Sequence, residues 1–184
     1  RCLDYAHQEV RDLYMALITE TLDRYDIDGL ELDFMREPFV FSRGKEAEGA
    51  ALLSEWIAEV RGKVEAAAAR RGHPVRLGVR VPSRPEAALG LGLDAITWAK
   101  GGLIDVLVVA PRWSTLEFDM PLEEWRERLG DSKVVLAGGL EVNYRPMPGG
   151  SVSYVTPEQA VGAAVGVLSR GADTVYLFNY FHSG

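Results

Sequence analysis

The run Ile104-Asp105-Val106-Leu107-Val108-Val109-Ala110 leaves almost no room for a polar face. A strand of that composition is covered on both sides, and such strands belong to parallel sheets with helices packed against them. Four more strand signals begin near Ile27, Val75, Val134 and Val175. Between them the apolar period lengthens from that of a strand to that of a helix. Val10, Leu13, Tyr14, Leu17, Ile18 and Leu22 mark a helix from about 7 to 25, with His7 at its start. Leu53, Trp56, Ile57, Val60 and Val64 mark a second from about 45 to 71, with Trp56 as core and Gly72 as its stop. Further helices are expected at 93–100, at 121–129 behind Pro121, and from the N-cap Thr156 to about 170. Strand therefore alternates with helix, which defines an α/β protein built on a parallel sheet.

Alternation of side chains along a strand sorts the polar residues. In Gly29-Leu30-Glu31-Leu32-Asp33-Phe34 the leucines and Phe34 share one face, and Glu31 and Asp33 share the other. Val75, Leu77, Val79 and Val81 point toward helices, which sends Arg76, Gly78 and Arg80 the opposite way. Arg112 with Trp113, then Glu141, then Asn179 with His182 close the remaining strands. Ligand groups gathered from many C-terminal strand ends are a habit of the (β/α)8 barrel. No glycine-rich phosphate fingerprint follows any strand, which disfavours a dinucleotide-binding sheet. Five strands cannot close a barrel. The expected architecture is therefore the C-terminal part of a TIM barrel, about strands four to eight, as one domain over residues 1–184. Its first strands would precede Arg1, whose place at the start suggests an excerpted or processed chain.

The formal net charge of −7 and a pI near 5.0 argue against a phosphate backbone as partner and favour neutral or cationic small ligands. No apolar run approaches membrane-spanning length, so no membrane partner is expected. Cys2 is the sole cysteine, which rules out an intrachain disulfide and a cysteine-based metal site. Self-association is expected if the chain stands alone with an open sheet edge.

Two segments carry a resemblance. Leu3-Asp4-Tyr5-Ala6-His7-Gln8-Glu9-Val10-Arg11-Asp12, followed by Arg24-Tyr25-Asp26-Ile27-Asp28-Gly29-Leu30-Glu31-Leu32-Asp33-Phe34, resembles the barrel core of the glycosyl hydrolase-like ten family and related glycosidases. Gln8 stands where that family usually has Pro, and Phe34 where it often has a second Asp. The resemblance implies a barrel fold and a carbohydrate substrate. The acidic strand is also similar to that of chitinase-like hydrolases, but Met35 replaces their terminal Glu. Substrate-assisted chemistry is therefore not expected.

Glycoside hydrolysis needs one carboxyl group as acid and a second as nucleophile or base, ~5–5.5 Å apart for retention or ~6.5–9.5 Å for inversion. Asp33 and Glu141, ending the first and fourth of these strands, are the expected catalytic pair, with Glu117 or Asp119 as alternative partners for Asp33. Glu31, Arg36, Arg80, Trp113, Tyr144, Asn179 and His182 are the expected substrate-binding residues, with Trp113, Tyr144, Tyr180 and Phe181 as apolar platforms. A structural reading stands beside this one, with Asp33 capping a loop and Glu31 tied to an interior Arg80. Two rival functions remain: a metal-dependent lyase or aldolase using Asp33, Glu141 and His182, and a non-catalytic carbohydrate-binding barrel. No cofactor and no metal are expected under the hydrolase reading. The glycine pair Gly138-Gly139 implies close approach to the backbone. The Gly- and Pro-rich stretch 143–156 has a length more often functional than connecting, and is expected to cover the site.

Overall fold

The computed structural model describes residues 3–180, so Cys2, Phe181 and His182 lie outside the described residues. The chain runs α1 (Gln8–Arg24), β1 (Gly29–Asp33), α2 (Glu46–Arg71), β2 (Arg76–Pro82), α3 (Pro85–Gly90), α4 (Ala95–Lys100), β3 (Val106–Ala110), α5 (Leu122–Leu129), β4 (Val135–Glu141), β5 (Asn143–Tyr144), β6 (Ser153–Tyr154), α6 (Pro157–Ser169) and β7 (Thr174–Phe178). His7 is the N-cap of α1, and Gly72 ends α2 in the left-handed region at φ 77°. Thr156 and Gln159 form a reciprocal capping box at the start of α6.

Five strands form one sheet in the order β1-β2-β3-β4-β7, every pair parallel. The alternation holds across it. Leu77, Val79, Val81, Leu107, Val109, Leu136 and Leu140 are fully buried on the helix-facing side, where Trp56, Ile57, Val60, Val64, Trp98 and Trp125 meet them. Each of these indoles also has its N–H satisfied: Trp56 donates to the Arg11 carbonyl (3.3 Å), Trp98 to Ser54 Oγ (2.7 Å) and Trp125 to the Ser83 carbonyl (2.8 Å).

The other face is concave. Tyr176 on β7 donates its hydroxyl to Glu31 Oε1 on β1 at 3.0 Å, although three strands lie between them. In a flat sheet four spacings would separate those strands by roughly 19 Å, beyond the combined reach of the two side chains. The sheet therefore curls into a half-barrel shape. Small residues on this side, among them Gly78, Ala110, Ala137 and Gly139, leave room for the crossing.

The expected C-terminal portion of a TIM barrel is corrected by this arrangement. Among the described residues the sheet is open, with β1 and β7 as unpaired edges, and a separate antiparallel hairpin of β5 and β6 follows β4. The α/β class stands. Polar residues at strand ends led to the barrel expectation, but a curled open sheet gathers strand ends just as well. Two further elements went unforeseen. Helix α3 is a single short segment begun by Pro85, and the hairpin strands are two residues each, too short for any periodicity to register.

Candidate active site

Arg80 is where the concave face and the C-terminal strand ends meet. Alternation places it beside Asp33 in the β1–β2 register, and it is 2% exposed. Its Nε lies 3.1 Å from Asp33 Oδ1, an ion pair in which the N–H is not aimed at the oxygen. Its guanidinium carbon sits 3.6 Å from the centroid of the Phe178 ring on β7, a close cation–π stack. The anticipated Arg80–Glu31 pair is thus replaced: Arg80 takes Asp33, and Glu31 takes Tyr176. Glu31 is solvent-exposed rather than enclosed, yet partial burial still raises its pKa above the ordinary 4.5, against the opposing Tyr176 hydrogen bond.

A cavity of about 60 Å³ opens at these strand ends. Met35 and Arg36 come from the loop after β1, Arg80 from β2, and Trp113 and Ser114 from the loop after β3. Glu141 and Asn143 come from β4 and β5, and Phe178 and Asn179 from the end of β7. Glu141 is 5% exposed, and desolvation raises its pKa above 4.5 despite the nearby Arg80 charge. Trp113 is 59% exposed and offers its ring face, with Arg36 stacked 5.5 Å from the ring centroid.

The backbone is strained here. Trp113 (φ 40°), Ser114 (φ 45°) and Asn179 (φ 59°) are the non-glycine residues with positive φ among those described, and all three line this cavity. Asn tolerates that conformation, but for Trp and Ser it costs on the order of 1–3 kcal/mol each and persists only where neighbours enforce it. The neighbours are visible. Arg112 pairs with Glu37 at 3.0 Å and stacks on Phe39, which ties the loops after β3 and β1 together. The Ser114 carbonyl accepts the Arg145 N–H at 2.9 Å, which ties the same loop to the hairpin.

Of the expected site residues, Glu141, Arg36, Arg80, Trp113 and Asn179 line the cavity. Asp33 does not. It accepts the Met35 N–H at 2.8 Å as well as facing Arg80, so the loop-capping role holds alongside any other. Tyr144 is held away, its hydroxyl accepting from Gln159 Nε2 at 3.1 Å. Glu117 pairs with Arg84 at 3.1 Å, and neither it nor Asp119 lines the cavity. The stretch 143–156 contributes Asn143 and a hairpin rather than an unstructured cover. His182 lies outside the described residues, and among those described no three His, Cys, Asp or Glu side chains converge to hold a metal ion. Sequence reasoning passed over Met35, Ser114, Asn143 and Phe178. Phe178 shares its strand face with Tyr176, and Asn143 follows Glu141 by two residues, so alternation was the available signal for both.

Fold and site together define an α/β protein with a buried acid and two arginines around a small cavity at its strand ends. The chain matches no protein-family model and no curated protein. The likeness to the glycosyl hydrolase-like ten family therefore rests on the residues quoted for it.

Proposed function

We propose that this chain is a glycoside hydrolase that cleaves O-glycosidic bonds of an oligo- or polysaccharide with two carboxyl groups. Glu141 is the general acid, and Asp33 is the nucleophile or electrostatic stabiliser. The observation that carries this reading is the burial of Glu141 in the cavity wall, which favours its protonated form and suits it to give a proton to a leaving glycosidic oxygen. The exposed Trp113 face offers a platform for a sugar ring, and Asn143 and Asn179 offer amide groups to its hydroxyls.

The position of Asp33 outside the cavity lining favours a second reading, a non-catalytic carbohydrate-binding domain. Turnover separates the two. Glu141→Gln is expected to lower hydrolysis of an unactivated glycoside by about 10²–10⁴-fold while leaving the fold intact. An aryl glycoside with a good leaving group should recover much of that loss in Glu141→Gln and little in Asp33→Asn. Near-normal hydrolysis by Glu141→Gln would overturn the acid assignment, and sugar binding without turnover by the unaltered chain would favour the binding domain.

A further inference from the structure

The acid assignment leaves Arg80 unexplained. Phe178 covers the face of its guanidinium, but the N–H donors lie in the guanidinium plane, and stacking cannot satisfy them. Nε and Nη1 are buried with no hydrogen-bond partner among the described residues. An unpaired buried donor carries its full desolvation cost, more so when charged. Arg36 on the same wall forms no ion pair among the described residues; the neighbouring carboxylate of Glu37 is engaged by Arg112. Asp33, outside the lining, faces Arg80 Nε alone; Glu141 is the one carboxyl group in the lining, and its burial disfavours the second negative charge that two arginines would need.

Size narrows the choice. Pockets that enclose a whole small ligand usually measure about 300–1,000 Å³, and this cavity measures about 60 Å³. It has room for one substituent of a sugar whose ring lies outside on Trp113. A planar acceptor matched to a guanidinium fork is a carboxylate.

Resting on the hydrolase reading, we infer that the cavity is a carboxylate subsite and that the substrate is an acidic glycan, a hexuronate chain whose carboxylate enters between Arg80 and Arg36. The local pair of arginines reverses the preference for neutral or cationic ligands that the net charge of −7 suggests. Asn143 and Asn179 supply further donors at the rim.

The test is calorimetric titration of the chain with oligogalacturonates and with neutral cello- and xylo-oligosaccharides. Arg36→Gln is the main variant because Arg36 is exposed and its loss spares the core. Lys133→Gln, at the opposite end of the sheet, controls for loss of one positive charge. Acidic oligomers should bind in preference to neutral ones, Arg36→Gln should weaken them by about tenfold or more, and Lys133→Gln should change little. Added salt should weaken acidic binding selectively. Equal binding of acidic and neutral oligomers, or an equal loss of both in Arg36→Gln, would overturn the carboxylate subsite and leave the hydrolase reading standing. Binding of neither class would overturn both.

Discussion

A carboxyl group held in a cavity wall exacts a cost that can be measured apart from catalysis. Burial raises the pKa of Glu141 in the folded chain above 4.5, so the folded state keeps its proton more tightly than the unfolded state does. Stability from this group is then full below pH 4.5 and falls as pH rises through the folded value, the reverse of a salt-bridged Asp. Glu141→Gln is accordingly expected to raise stability at pH 7, with the gain fading in denaturant titrations repeated below pH 4.5. A uniform gain at every pH would mean that shape rather than charge is responsible. The direction of Glu141 and Arg80 was legible, because period-two alternation determines which face each occupies. Their partners were not. Whether Arg80 would meet Glu31 or Asp33 depends on strand stagger and side-chain reach, which no local pattern encodes; Asp33 caps the loop at Met35 and faces Arg80.

Secondary elements divide in the same way. The long periodic helix α2 and the continuous apolar run of β3 were plain, as was the Thr156 cap of α6. The hairpin and the strained Trp113-Ser114 turn were not, because tertiary ties to Arg145, Glu37 and Phe39 hold them in place. The Gly138-Gly139 pair marks a close approach to the backbone on each side. A Cβ on Gly138 would meet Val167 of α6 at 2.7 Å, and one on Gly139 would meet the Ala110 Cβ of the adjacent strand at 2.6 Å. Gly139→Ala is therefore expected to destabilise by about 1–3 kcal/mol through overpacking. Adding Ala110→Gly should recover part of that loss, as read from chemical denaturation midpoints. No recovery in the double variant would place the strain elsewhere.

Among the described residues the molecule is a curled parallel sheet with two unpaired edges, each flanked by exposed apolar side chains. Leu13 and Leu17 lie on α1, ahead of β1, and Val161, Val165, Leu168 and Leu177 lie on α6 and β7. Such edges and faces favour association between copies. Sedimentation of the chain is expected to depend on concentration, and Val165→Glu should shift it toward monomer; a monomer at every concentration would show that these edges are tolerated in water. The overall α/β order was legible from strand–helix alternation, whereas closure was not, since strand count and curvature are properties of the assembled sheet. The Tyr176–Glu31 bond that spans this sheet joins residues 145 positions apart. At about 5–20 residues per second of synthesis, roughly 7–30 s pass between the emergence of one partner and the other. Until β7 arrives, Arg80 has no ring to rest on and the cavity has no Phe178 or Asn179 wall. A nascent chain halted just short of Tyr176 would thus hold Glu141, both arginines and Trp113 without a finished cavity, so the timing of one strand governs when that cavity first exists.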